Sequence, residues 1–324
     1  MHADGLPYQT SGPPRLWPAF WQHDPTTERS AQAWIDSVRR FHDITRTSLI
    51  KLTGPAHYQV ADRGVEGSWQ GAPLGERTFT RRAVHRPADW ANIPHGITRA
   101  EATVVEVAST LRQRLPPEVP LLVTVFTPAT QALMLAEPAT LVSHLSTSPD
   151  LVRAALEQLA THTGELIRLF AEAGVDGIFL VSKHHDPALI PIPIYNDVIA
   201  PSDRMTTTAC RLFPANTLHM HGESAHESGW PQEGRWIIHP ECVTSGSVRM
   251  STRRHTHHPV LVALPYSAWE KGDLTPHLRV ALDQLHQRGG LIGAPCAVPL
   301  HYSKRDIANW VNTVKECHDR LAGA

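Results

Sequence analysis

The run Pro120-Leu-Leu-Val-Thr-Val-Phe-Thr127 is apolar almost without interruption, and it limits the fold more than any other segment. A strand with one face in water alternates apolar and polar residues. A strand buried on both faces does not, and such strands belong to parallel sheets covered by helices on both sides. Seven more short apolar segments share this character: Leu16–Trp21, Leu49–Leu52, Gly177–Ser182, Thr217–His221, Trp236–His239, Val260–Leu264 and Leu291–Gly293. Helical stretches lie between several of them, at Glu28–Thr45, Arg99–Leu115, Pro149–Ala173, Tyr195–Leu212 and Thr275–Arg288, and Lys304–Leu321 closes the chain. In Pro149–Ala173 the residues Leu151, Ala155, Leu159, Leu166 and Phe170 fall at helical spacing, and Gly174 follows as the residue that ends the helix.

Alternating β and α segments with eight strands predict an α/β fold, the (β/α)₈ barrel, with an open doubly wound sheet as the structural rival. At 324 residues the chain suits one barrel. Residues 1–15, polar and rich in Pro and Gly, read as an N-terminal arm, and 16–324 as a single barrel domain. The stretch Pro55–Asn92 breaks the alternation and reads as a small β excursion inserted after the second strand.

Acidic and basic residues nearly cancel, 31 against 30. No global field recruits nucleic acid or an anionic membrane, and no Gly-rich phosphate loop is present. No apolar run reaches the ~20 residues that span a bilayer. The start has no basic-then-apolar signal pattern, and the four cysteines form no CxxC. The expectation is a cytoplasmic protein with reduced thiols, in which a cysteine is free to bind a metal.

His219 and His221 stand one residue apart in Leu-His-Met-His-Gly, and Cys296 follows in Gly-Ala-Pro-Cys-Ala-Val-Pro. Neutral imidazoles and a thiolate are donors that Zn²⁺ or a similar divalent ion prefers, and residues i and i+2 of a strand share a face. These three are the candidate metal ligands. The competing reading is a pair of hydrogen-bonded histidines lining a polar barrel mouth, since the chain has 21 histidines. Cys242 is the rival thiolate. Glu223 is a candidate general base or fourth ligand, or else a solvated loop carboxylate. His185, in Lys183-His-His-Asp186, and His239, in His239-Pro-Glu-Cys242, follow strands and are candidate acid/base residues on the catalytic face. Trp21 and His23, with Tyr195 as a hydrogen-bond donor, are candidate cofactor contacts where a flat ring can stack; the alternative for this aromatic strand end is core packing.

Four segments resemble the uroporphyrinogen decarboxylase superfamily: Val125-Phe-Thr-Pro-Ala-Thr-Gln-Ala, Ala171-Glu-Ala-Gly-Val-Asp-Gly-Ile-Phe-Leu, Leu218-His-Met-His-Gly and Leu291-Ile-Gly-Ala-Pro-Cys-Ala-Val-Pro. The resemblance covers almost the whole chain and implies a (β/α)₈ barrel. Decarboxylases of that superfamily carry an Arg-rich strand near the start, similar to Met-Arg-Gln-Ala-Gly-Arg, and Asp-Ser after the fourth strand. Here the stretches read Leu16-Trp-Pro-Ala-Phe-Trp-Gln-His and Ser182-Lys183. Without guanidinium forks the many carboxylates of a tetrapyrrole would be desolvated uncompensated.

The methyltransferase branch binds zinc through His-x-Cys and a distant Cys. The present chain keeps His219 and Cys296 and has His221 in place of the middle Cys. The resemblance therefore implies a metal-dependent methyltransferase moving a methyl group between a corrinoid, presented by a separate protein, and a thiol or other soft nucleophile. It also implies a homodimer. Two imidazoles and one thiolate leave a zinc centre with a net positive charge, where one imidazole and two thiolates leave it neutral. Such a centre holds an anion tighter and makes a bound sulfur less nucleophilic, so acceptors other than simple thiols come into view. The alternatives are a metal-assisted lyase or decarboxylase of a small carboxylic acid, and a non-enzymatic barrel that holds a ligand.

Overall fold

The computed structural model describes residues 16–222, 231, 233–241, 258–271, 274, 276–278, 281 and 290–322. The predicted arm, 1–15, lies outside them. The strands are β1 (Leu16–Ala19), β2 (Ile50–Leu52), β3 (Glu66–Trp69), β4 (Arg77–Arg81), β5 (Leu121–Phe126), β6 (Gly177–Ser182), β7 (Ala215–Met220), β8 (Trp236–Pro240), β9 (Leu261–Ala263) and β10 (Gly290–Gly293). β3 and β4 pair antiparallel and form the expected excursion after the second strand. The other eight run parallel in two arcs, β1-β10-β9 and β2-β5-β6-β7-β8.

The arcs meet at both ends. The Ser48 N–H donates to the Pro18 carbonyl at 2.8 Å, joining β1 to the start of β2, and the Ile238 N–H donates to the Pro259 carbonyl at 3.0 Å where β8 bridges Val260. These two seams join the arcs among the described residues, and the fold is a (β/α)₈ barrel. Every residue of β5, β6 and β7 is buried, because barrel strands face a packed interior on one side and helices on the other.

Local sequence starts and stops the helices. Ser30 caps Ala31–Thr45. Thr98 and Glu101 form a capping box at the head of Arg99–Arg114, with the Glu101 N–H donating to Thr98 Oγ1 at 3.2 Å and the Thr98 N–H to Glu101 Oε2 at 2.8 Å. Glu101 also pairs with Arg63 at 3.3 Å, both buried, and so ties the excursion to the barrel wall. Pro149–Glu172 ends at Gly174, whose φ of +78° suits glycine.

The helices depart from expectation in two places, after β5 and after β6. Helices Pro128–Leu135 and Pro138–Thr147 follow β5; each starts on a proline, which suits a first helical turn yet reads locally as loop. The expected helix Tyr195–Leu212 is three pieces: a π turn at Tyr195–Ile199, an α-helix at Ala200–Ala209 and a 3₁₀ turn at Cys210–Leu212. The expected helix Thr275–Arg288 lies mostly outside the described residues, of which 276–278 are helical. Among the described residues no helix is long and apolar enough to cross a membrane.

Candidate metal centre

Parallel strands deliver their carboxyl ends to one mouth of the barrel. His219 sits near the end of β7, His221 just beyond it, and Cys296 on the turn after β10. Their ligand atoms all lie within 4.8 Å of one another, and the two imidazole centroids are 4.3 Å apart. Tetrahedral zinc with bonds of about 2.0–2.3 Å spaces its ligands by roughly 3.3–3.8 Å, so a small closure of these side chains completes a cage.

The surroundings set each donor's protonation. His219 Nδ1 faces the His239 carbonyl at 3.1 Å and carries the proton there, while its Nε2 is buried with no hydrogen-bond partner. A ligand histidine that donates its second nitrogen to a carbonyl or carboxylate is the arrangement metal sites use. His221 Nδ1 lies 3.0 Å from Glu241 Oε2, and that carboxylate also accepts the Gly222 N–H at 3.2 Å. Burial, with the nearby His239, His221 and Lys51, holds the His219 pKa well below the ordinary histidine value. Burial also lowers His221, outweighing Glu241. For Glu241 burial works upward, but the hydrogen bond and charge of His221 and the Gly222 N–H hold the carboxyl below its ordinary value. The His221–Glu241 contact is therefore a hydrogen bond from a neutral imidazole to a carboxylate. Burial pushes the Cys296 thiol up, with Lys51 pulling the other way.

His239 stacks on His219 with centroids 4.2 Å apart, and its Nε2 lies 3.3 Å from the Ala294 carbonyl. Burial, then the Lys51 charge, lower it to about 3, so it is neutral. It supports the centre and stands outside the cluster of three. Trp21 packs edge-on to Phe179 at 5.1 Å and to His239 at 5.6 Å, and its buried indole N–H has no hydrogen-bond partner.

Lys51 on β2 was missed by sequence reasoning. Its Nζ is 3.1 Å from His23 Nε2 and lies over the Phe179 ring at 4.4 Å and the Trp21 ring at 5.1 Å. Among the described residues no carboxylate pairs with it. Burial lowers it to about 8, and His23 is held well below its ordinary value by burial and by Lys51. The available signal was a cation inside the apolar run Leu49-Ile-Lys-Leu52.

Of the remaining candidates, His185 and Tyr195 belong to a second cluster at the end of β6, with His184 and Asp203. Tyr195 donates to Asp203 Oδ2 there at 3.2 Å, while Trp21 packs on Phe179 and His239 and His23 meets Lys51. Glu223 and Cys242 lie outside the described residues.

Two predictions follow directly from this geometry. His23, His57, His219 and His239 are buried neutral, with burial as the first cause in each case. A histidine whose folded pKa is depressed takes up its proton first in the unfolded chain, so its stabilising contribution is present above pH ~6.5 and lost as pH falls toward the folded value. The melting temperature should drop steadily from pH 7 to pH 4, His57 and His239 titrating at about 4 and about 3; a flat profile over that window contradicts the assignment. Replacing Glu241 by Gln removes the charge that orients His221 and is expected to weaken zinc binding by about 10- to 100-fold, read by competition with a chromophoric chelator.

Residues 74–232 match the uroporphyrinogen decarboxylase (URO-D) family. The structure superimposes on that of a methyltransferase from Methanosarcina mazei with a TM-score of 0.69, over 95% of this chain and 96% of that one, at 12% identity. It also superimposes on a B12-independent methionine synthase from a Shewanella species, solved with selenomethionine, with a TM-score of 0.60 over 96% and 99% of the two chains at 14% identity. At these identities the likeness is one of fold. No curated protein matches the sequence.

Proposed function

With residues 74–232 belonging to the uroporphyrinogen decarboxylase family, we propose that this chain is a metal-dependent methyltransferase that passes a methyl group from a corrinoid, carried by a separate protein, to a thiol or other soft nucleophile. The observation that carries the reading is the convergence of His219, His221 and Cys296, with His219 Nε2 buried and unpartnered. A zinc-like cation held by these three would supply the Lewis acidity that lowers the pKa of an acceptor S–H or O–H. The shared barrel of a methyltransferase and a methionine synthase is consistent with this chemistry.

The protein's own groups do the rest. The His239 carbonyl and the Glu241 carboxylate fix the two imidazoles, so no reorientation is needed when the acceptor arrives. Lys51 Nζ, aimed by His23 and cationic at neutral pH, donates to an anion in the barrel mouth. Trp21 offers its indole N–H, and with Phe179 it forms an apolar wall that keeps water off the reacting atoms.

The test is an anaerobic assay with methylcobalamin and 2-mercaptoethanol, following loss of the methylcorrinoid absorption. Zinc-loaded protein should demethylate the corrinoid, and Cys296→Ser should not. One observation favours a second reading: Lys51, a buried cation without a carboxylate partner among the described residues, can hold a substrate carboxylate, as a metal-assisted decarboxylase requires. Release of CO₂ from small carboxylic acids, with methylcobalamin untouched across a panel of thiols, would replace the first reading by the second.

A further inference from the structure

At the end of β6 the chain runs through Ser182-Lys-His-His185, and both imidazoles meet Asp203 from the helix Ala200–Ala209. We propose that His184, His185 and Asp203 form a second divalent-cation site, separate from His219, His221 and Cys296, which takes a borderline transition ion such as Zn²⁺ through two imidazoles and a carboxylate. This site does not depend on the methyltransferase reading.

The three ligand atoms lie within 4.8 Å of one another. His184 Nε2 is 2.8 Å and His185 Nε2 4.0 Å from Asp203 Oδ2. Two imidazoles and a carboxylate suit zinc and its first-row neighbours. The residues are 0%, 1% and 5% exposed, and a carboxylate so far from water needs compensation on both oxygens. Oδ2 faces His184 and accepts the Tyr195 O–H at 3.2 Å, whereas Oδ1 is buried with no hydrogen-bond partner. An ion pair between His184 and Asp203 leaves that oxygen bare; a cation among the three residues offers it a partner. Burial works to raise the Asp203 pKa, yet His184, His185 and Tyr195 together hold it below the ordinary value, so the group is a carboxylate.

The support around the cluster fits the same role. His184 Nδ1 lies 3.3 Å from Ser182 Oγ and 3.5 Å from Thr127 Oγ1. A hydroxyl accepts or donates equally well, so the proton can sit on Nδ1 and leave the Nε2 lone pair for a cation. Tyr195 donates to the ligand carboxylate, as outer partners of metal ligands do. The π turn at Tyr195–Ile199 makes that contact reachable. Two α turns take about 7.2 residues, and the one extra residue of a π turn brings the repeat to about 8, the spacing from Tyr195 to Asp203.

The full chain, stripped with a chelator and titrated with Co²⁺, tests the assignment. A thiolate-to-cobalt absorption reports the Cys296 centre, while a nitrogen–oxygen site binds cobalt without it. The expected result is two equivalents per chain. Asp203→Asn and His185→Gln each reduce this to one, with the thiolate band at full intensity, which also shows that the variants are folded. Cys296→Ser loses the band and keeps one equivalent. If the first centre fails and the second is real, the wild type binds one equivalent without a thiolate band, and Asp203→Asn abolishes it. A wild type that binds only the thiolate-reporting equivalent, or a second equivalent that survives both Asp203→Asn and His185→Gln, overturns the proposal.

Discussion

Cys296→Ser is expected to weaken zinc binding by about two to three orders of magnitude. Structural zinc held by four protein ligands binds with roughly 10–16 kcal/mol, or about 2.5–4 kcal/mol per ligand, and each ~1.4 kcal/mol is a factor of ten. The same substitution should change the proton count. Burial raises the Cys296 pKa, so the thiol is protonated at neutral pH and must release its proton to become a ligand. Burial lowers both His219 and His221, so the imidazoles are already neutral and release none. Zinc uptake at this centre near pH 7, measured in an Asp203→Asn background that silences the second cluster, should therefore free about one proton per ion with Cys296 and about none with serine, and affinity with Cys296 should climb about tenfold per pH unit below the thiol pKa. Titration calorimetry in two buffers of different ionisation enthalpy reads the count. Equal affinity with Cys296 and with serine in that background, or no proton released with Cys296, would sink the ligand assignment.

How much of this was legible in the chain depends on which force wrote each feature. β6 matches the expected Gly177–Ser182 end to end, and β5 differs from Pro120–Thr127 only by its outer residues, because burial on two faces leaves an uninterrupted apolar run. The grouping of His219 with His221 was legible because a strand repeats every two residues, and Cys296 because few residue types bind a soft metal. Partners that act through the backbone left no trace: the His239 carbonyl that sets the His219 tautomer is common to every residue type. Lys51 leaves only a faint mark, a single cation inside the short apolar run Leu49-Ile-Lys-Leu52. Asp203 was invisible for a geometric reason. A regular helix from Tyr195 would turn the two side chains apart, and only the π turn aligns them.

Gly177→Ala is expected to be the most disruptive single substitution in the barrel. Gly177 opens β6 and lies in register with Leu122 on β5 and Ala215 on β7. A Cβ placed there would sit 1.5 Å from the Ala215 carbonyl oxygen, 2.7 Å from its carbon and 3.3 Å from Leu122 Cγ. The obstacle is backbone in a sheet ladder, so no rotamer change relieves it, and one pair of strands must separate. A clash of this kind belongs with the rare substitutions that cost more than about 4 kcal/mol; at roughly 2 °C per kcal/mol in a large domain, the melting temperature should fall by about 8 °C or more. The damage also reaches the mouth, because β6 holds β7 through the Ser182 carbonyl, which accepts the His221 N–H at 2.9 Å. Loss of that register should weaken zinc binding as well. Gly71→Ala is the control: nothing lies within 4 Å of its added Cβ, although its φ of +89° is one that side chains rarely adopt. Strain alone costs about 1–3 kcal/mol, so Gly71→Ala should destabilise less and leave zinc affinity unchanged. Thermal unfolding followed by circular dichroism, with zinc affinity measured on the same samples, compares the two. Should Gly177→Ala prove as mild as Gly71→Ala, the close approach of β6 to β7, and with it the alignment of His221 at the mouth, would be wrong.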